Sequence, residues 1–319
     1  MATYIIRRLI HAFVVLILVT LIVFFVMRLL PGDPLIIYIA QTANLQAMPP
    51  EMLEKLRHEF GLDKPIIMQY FNWVWGILQG NFGTSIFYRE KVGKLMLERF
   101  PVTIHLGFLA FILGAVLGIL AGLLAAVRRG RWADKVVTPL TYIGIAIPVF
   151  WLGILLIYGF GLKLRWLPIS GYTSPLDDFW LSTRQLVMPV ICLAVFGLAA
   201  NARQMRSSML EIIQQDYIRT AWSKGLGEHI IIMRHALKNS LIPVITLMGI
   251  GVGIIFGGSV LVETVFAIPG IGRLLVSSIL GQDYVVVQAI TLVIAVIVLV
   301  VNLIVDISYG WFDPRIRYG

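Results

Sequence analysis

Long apolar runs separated by polar stretches dominate this chain, and about six of them are long enough to matter. An α-helix needs roughly 20 apolar residues to cross the ~30 Å hydrocarbon core of a bilayer. The first run extends from Leu9 to Met27, the second from Val102 to Val127 and the third from Val136 to Phe160. The fourth, Leu186 to Ala200, is the shortest, and Leu241 to Val262 and Val285 to Val305 complete the set. The first follows Arg7-Arg8 as a signal peptide would. It is longer than the usual 7–15-residue apolar region, however, and Arg28-Leu-Leu-Pro-Gly-Asp33 offers no small-residue cleavage site, so a retained helix is expected.

Within the runs, glycine recurs every fourth residue at Gly114, Gly118 and Gly122 and again at Gly249, Gly253 and Gly257. That spacing puts each trio on one helix face, where the expected role is close helix packing. Pro148 lies in the middle of the third run and is predicted to bend it, because it removes a backbone hydrogen bond. Residues 32–101 are mixed. Pro49-Pro50-Glu51 is expected to open a helix that stops near Gly61. The aromatic cluster Tyr70, Phe71, Trp73 and Trp75 suits either a helix at the membrane interface or a small folded loop on the bundle.

Composition agrees with the pattern. The 319 residues are 59% hydrophobic and 13% charged, against about 45–50% and roughly 25% for a soluble domain. The net charge of +9 does not point to nucleic acid, because the basic residues sit at the ends of apolar runs. Arg128, Arg129, Arg131 and Lys135 fill the connection between runs two and three. Arg203, Arg206, Arg219, Lys224, Arg234 and Lys238 fill that between four and five, and Arg315 and Arg317 lie near the C-terminus. The excess of Lys and Arg in alternate short loops predicts that both termini and the 128–135 and 202–240 segments face the cytoplasm, with 32–101 outside.

Chemistry-bearing motifs are missing. The runs carry almost no ionisable residue away from their ends: Arg28, Glu263 and Asp306 lie near boundaries and His105 is a few residues inside. A proton relay therefore has nothing to run on. No phosphate loop, paired-histidine helix or nucleophile elbow occurs, and Gly249-x-Gly251 lies inside an apolar run with no strand before it. Cys192 is alone and the five histidines are scattered, so neither a disulfide within the chain nor a metal or catalytic site is expected. The sequence describes a membrane path with no engine of its own.

The polar stretch from Arg203 to Lys238 is the most informative. Asp216-Tyr-Ile-Arg-Thr-Ala-Trp-Ser-Lys224 is helical in character and stops at Gly225-Leu-Gly227. A second helical stretch, about Glu228 to Asn239, leads toward Pro243. By pattern alone this is either an ordinary amphipathic connector or a helix–turn–helix able to pass motion from a docked partner. The run resembles the EAA loop of binding-protein-dependent ABC importer permeases, in the version of the dipeptide and oligopeptide permease B group, whose relatives include glutathione and nickel importers. The resemblance continues in Arg234-His-Ala-Leu-Lys-Asn239 with Leu241-Ile-Pro243, and in Ile6-Arg-Arg-Leu9, Pro31-Gly-Asp-Pro34 and Leu62-Asp-Lys-Pro65. It also includes Glu263-Thr-Val-Phe-Ala-Ile-Pro-Gly-Ile-Gly-Arg273, Asp283-Tyr284 and Asp313-Pro-Arg-Ile-Arg317. Arg219-Thr-Ala221 stands where the general motif has Glu-Ala-Ala, and Trp222 is bulkier than expected.

The resemblance implies an all-α membrane protein with the six-helix bundle of a type I-like ABC importer permease. Residues 1–31 would be the N-terminus and first span, 32–101 an extracytoplasmic segment, and 102–319 the core with five spans and a coupling segment at 203–240. It implies a second permease subunit, two ATP-binding subunits carrying ATP and Mg, and an external substrate-binding protein, with no cofactor in this chain. Asp216, Tyr217, Arg219, Thr220, Ala221, Trp222, Lys224 and Gly225 would form the ATPase-coupling element. Arg219 and Lys224 are expected as polar docking contacts and Tyr217, Ala221 and Trp222 as the packing face. The substrate implied is a di- or oligopeptide. A secondary transporter or channel working without ATPases is the alternative of a different class.

Overall fold

The computed structural model describes residues 2–29, 54, 58 and 63–312. The helix expected between Pro49 and Gly61 lies outside the described residues, apart from helical backbone at Glu54 and His58, as do the Pro31–Pro34 and Asp313–Arg317 motifs. Every regular element among the described residues is a helix, and one isolated antiparallel bridge joins Thr84 and Lys91. The helices are α1 (Ala2–Leu29), α2 (Ile66–Leu78), α3 (Val92–Val127), α4 (Trp132–Ala146) and α5 (Val149–Leu156), the last continued by a π-helical turn, Ile157–Lys163. They are followed by α6 (Phe179–Ile213), α7 (Asp216–Ser223), α8 (Leu237–Val265), α9 (Ile271–Leu280) and α10 (Tyr284–Phe312). Among the described residues, five helices are long and apolar enough to cross a membrane, and α4 with α5 makes a sixth span if the bent pair is counted as one.

Three spans differ from their expected form, each for a local reason. In the third, Pro148 does more than bend the helix: α4 and α5 meet at 105°. Ile147 is forced to extended backbone (φ −71°, ψ 125°) by the proline after it, and Pro148 has no N–H to continue the ladder. The fourth is not short: α6 runs for 35 residues, and 56% of its most apolar window is buried, a larger share than in the other four single-helix spans. Enclosed by protein rather than lipid, it can carry small and polar positions such as Ser182, Asn201 and Ser208, which shortens its apolar run. In the fifth, the stretch expected as a separate helix joins the span. Glu228–Ile230, a π-helical turn at Ile231–Ala236 and α8 form one 38-residue helical element.

The chain divides into two compact units. The first comprises Met1–Arg8, Val102–Arg273 and Val300–Gly319. There α6 is the central helix, packed against α8, α4 and α5. One core cluster gathers Leu106, Met188, Cys192, Val262, Phe266 and Ile268, and another gathers Met205, Met209, Ile218, Ile231 and Val244. Arg8 Nη1 lies 2.9 Å from Asp306 Oδ2, so the start of α1 sits beside the later part of α10.

The second unit comprises Leu9–Pro101 and Leu274–Leu299. Here α2 lies on α1: Phe24 is buried against the Tyr70 and Trp73 rings, and the Thr20 and Tyr70 hydroxyls share a hydrogen bond of 2.8 Å. The other face of α2, Ile67, Phe71, Trp75 and Leu78, is exposed. The stretch is therefore a helix rather than a loop, packed on one side and open on the other.

Candidate functional site

The short helix α7 is built to sit on the bundle and show one face. Its eight residues place Ile218 and Ala221 inward, both buried, three apart and so on one face. They join Met205 and Met209 of α6 and Ile231 and Ala236 of the π-helical stretch before α8. Tyr217, Arg219, Thr220, Trp222 and Lys224 are exposed. Hydrogen bonds tie the helix down at few points: Asn239 Nδ2 donates to the Tyr217 hydroxyl at 2.8 Å, and Arg219 reaches Asp216 at 3.5 Å with both side chains largely in solvent. An exposed pair of this kind contributes little to stability.

Gly225 ends the helix with φ +75°, its N–H bonded to Trp222 O at 2.9 Å. That left-handed conformation is where glycine is favoured after a helix, and a Cβ there would meet nothing within 4 Å. Of the expected packing face, Ala221 packs into the bundle while Tyr217 and Trp222 are half exposed, 42% and 47%. Ile218, the fully buried anchor, was not among the expected residues. Its apolar neighbours come from helices distant in sequence. Beside α7 a cavity of about 300 Å³ opens, lined in part by Arg129, Ile218, Trp222 and Glu228.

One ion pair fastens the same region. Arg206 Nε and Nη2 donate to Asp134 Oδ1 and Oδ2 at 2.6 and 3.0 Å, the two-pronged geometry in which guanidinium and carboxylate interact most strongly. Gly130 N–H and the Thr138 hydroxyl also donate to Asp134, each at 2.9 Å. The turn between α3 and α4 is thus locked to α6. In the sequence Asp134 is an acidic residue among the basic Arg128, Arg129, Arg131 and Lys135, and nothing there pairs it with Arg206.

The glycine rows divide. A Cβ on Gly114 would come within 3.1 Å of Ala194 O, one on Gly118 within 2.8 Å of Leu198 O, and one on Gly122 would collide with Ala202 O. Here α3 lies directly against the α6 backbone. Gly249 meets Val305 of α10 at 2.7 Å and Gly253 is half-buried. At Gly257 the packing expectation does not hold: a Cβ there would meet nothing within 4 Å, because the position borders a cavity.

The motif from Glu263 to Arg273 folds around a fully buried carboxylate. Glu263 Oε1 accepts from the Thr103 hydroxyl at 2.6 Å and Oε2 from Arg273 N–H at 2.9 Å, and Thr103 Oγ1 accepts from Ile271 N–H at 2.8 Å. Gly270 and Gly272 are glycine for want of room, since a Cβ on either would collide with the carboxylate. In the second unit Asp283, also fully buried, plays a similar part. Its Oδ2 accepts from Ser85 Oγ at 2.5 Å and from Phe87 N–H at 3.1 Å, and Oδ1 faces Val286 N–H at 3.4 Å as an N-cap of α10. Glu263 was legible in the sequence as part of a resemblance and as an ionisable residue near the end of an apolar run, and Asp283 only as part of a resemblance. Their partners lie 160 and 198 residues away, where no local pattern reaches.

Among the described residues the chain is helical, with several candidate spans and a surface helix on a polar connector. Residues 118–318 match the family model described as "Binding-protein-dependent transport system inner membrane component", and residues 1–107 match its N-terminal companion. The chain belongs to this family. It is 41% identical over its whole length to a putative peptide transport system permease protein of Brucella abortus, all of which is covered. It is 39% identical to the di/tripeptide transport system permease protein DppB of Pseudomonas aeruginosa, covering 94% of each chain. It is 37% identical to the dipeptide transport system permease protein DppB of Escherichia coli, covering 100% of this chain and 99% of that one. Among solved structures, one of the MetNI methionine ABC transporter in an inward-facing conformation superposes with a TM-score of 0.57 at 18% identity, over 69% of this chain and 96% of that one. The likeness extends to the fold.

Proposed function

We propose that this chain forms, with a second permease subunit, the path by which short peptides delivered by an external binding protein cross the membrane. Full-length kinship at 37–41% identity to permeases named for peptide or dipeptide transport carries the reading. Two ATP-binding subunits, holding ATP and Mg, supply the energy. In this reading α7 is the coupling helix: Ile218 and Ala221 anchor it to α6 and the start of α8, and Tyr217, Arg219, Trp222 and Lys224 meet an ATPase. Nucleotide-driven closure favours one seating of α7, and the helices packed on it shift the equilibrium between inward- and outward-open states.

The basic connections at 128–135 and 202–240 face the cytoplasm, and so do both termini. The Arg8–Asp306 pair supports a common side for the two ends, since it brings the beginning of the first span beside the last. Residues 32–101, 163–185 and 263–284 then face the binding protein.

The test is ATP-dependent uptake of a labelled dipeptide by proteoliposomes holding the complex purified in mild detergent with its binding protein. The expected result is co-purification of a second permease and two ATPases, with uptake that stops without ATP. Uptake by this chain alone without ATP overturns the reading. Uptake of glutathione or nickel in place of peptides redirects the substrate and leaves the machinery in place.

A further inference from the structure

The first unit holds a cavity of about 470 Å³ bordered by α3, the α4–α5 break, α6 and α8. Its walls are apolar, with Phe111, Phe196, Leu247 and Ile254 among them, and no Asp, Glu, Lys, Arg or His lines it. Gly197, Gly251 and Gly257 face it with open space where a Cβ would stand, so these glycines leave width rather than allow packing.

Open space alone is not a site, but two polar features border it. Asn201 is 6% exposed and lines the cavity; its Nδ2 is a marginal 3.5 Å from Gly114 O, and its Oδ1 has no hydrogen-bond partner among the described residues. The second is the helix break, which contributes Ile147 and Val149 to the wall. No side chain caps α5, and the N–H of Val149, which lines the cavity, has no partner among the described residues. Irregular backbone at membrane depth is tolerated where protein buries it or where it borders a water-filled cavity, and an interrupted span commonly supplies its freed main-chain groups to a passing substrate.

We infer that this cavity is a subsite on the transport path: it takes an apolar side chain of a short peptide, while Asn201 and the Val149 N–H just after the Ile147–Pro148 break hydrogen-bond the peptide backbone. The inference rests on the peptide-import reading above. A lipid acyl chain fills apolar space but leaves Asn201 and the break unanswered, and a neighbouring helix brings a backbone already satisfied within itself. A peptide brings both parts, a side chain for the walls and amide groups for the polar edge. The volume lies in the usual range of small-ligand pockets. A charged side chain would lose its hydration here without gaining a partner, so the subsite prefers apolar over charged residues.

Gly251 provides the test, because it lines the cavity and a Cβ there meets nothing within 4 Å. In the reconstituted full transporter, ATP-dependent uptake of dialanine and dileucine is compared for wild type and for Gly251→Ala, Gly251→Val and Gly251→Leu. The expected result is a stepwise fall in the dileucine-to-dialanine uptake ratio, reaching about 10-fold for Gly251→Leu, the scale on which a pocket discriminates small apolar groups. Asn201→Ala, which removes a backbone contact, is expected to lower uptake of both peptides and leave the ratio alone. An unmoved ratio across the Gly251 series overturns the subsite, and so does loss of the second permease from purified Gly251→Leu complex, which marks the cavity as a helix seat. If wild-type transporter carries neither dipeptide, the peptide-import reading fails and the subsite falls with it. A wild type that carries both with an unmoved ratio defeats the subsite alone.

Discussion

Glu263 and α7 lie in the same unit and are held by opposite means. The Glu263 carboxylate is fully buried, and its accepting oxygens, with Thr103 between, fix three points of chain: the beginning of the second span, Ile271 and Arg273. Gly270 and Gly272 are cut to fit it. By contrast α7 has eight residues, two apolar anchors and an exposed polar face closed by one left-handed glycine. A region wired by buried hydrogen bonds cannot shift without leaving polar groups stranded, each at a cost of about 1–3 kcal/mol. A helix seated by apolar contacts can slide or tilt while keeping most of its burial, because such contacts have no strict direction. The same unit thus has one part that resists rearrangement and another free to adjust, as the proposed coupling role requires.

Breaking the contrast at its rigid end gives the largest expected effect. Glu263→Ala strands the Thr103 hydroxyl and Arg273 N–H in the interior and should destabilise the chain by about 3 kcal/mol or more. Its thermal unfolding in detergent should drop well below wild type, with reduced yield in the membrane. An unchanged transition would show that the carboxylate is not a fastening. Next comes the ion pair between α6 and the α3–α4 turn. Arg206→Ala is expected to lose about 2 kcal/mol, and Arg206→Lys should recover only part of it, since an ammonium cannot make the two-pronged contact seen at 2.6 and 3.0 Å. Full recovery by lysine would mean that charge alone matters.

At the adjustable end, stability and function should separate. Gly225→Val forces a branched residue into φ +75° with no clash, for about 1–2 kcal/mol of local strain. The protein should remain in the membrane with near-normal unfolding, while peptide uptake per ATP hydrolysed falls several-fold. Normal coupling would remove α7 from the coupling role. The smallest effect on stability belongs to the double variant Arg219→Ala with Lys224→Ala, expected within about 0.5 kcal/mol of wild type. Its loss should appear instead in ATPase co-purification, deepening as salt is raised because exposed charges are screened. A double variant that binds ATPase as wild type does at all salt concentrations would leave docking to Tyr217 and Trp222.

Sequence by itself determined that this chain is helical and membrane-spanning. It placed the six apolar runs, marked Pro148 as a weak point and set α7 between Asp216 and Gly225, since each depends on local periodicity, on proline's missing N–H or on glycine's left-handed freedom. It mistook the fourth span for a short one: apolarity measures exposure to lipid, and α6 is surrounded by protein. It treated both glycine rows alike, although Gly122 lies against the α6 backbone and Gly257 beside open space, because spacing fixes the face a glycine occupies and not what stands opposite. Only the tertiary structure decided the rest. Ile218 became an anchor, Asp134 the partner of Arg206, Glu263 a fastening through Thr103, and Asn201 the edge of a cavity. Each depends on residues far away in the chain, which packing alone brings within reach.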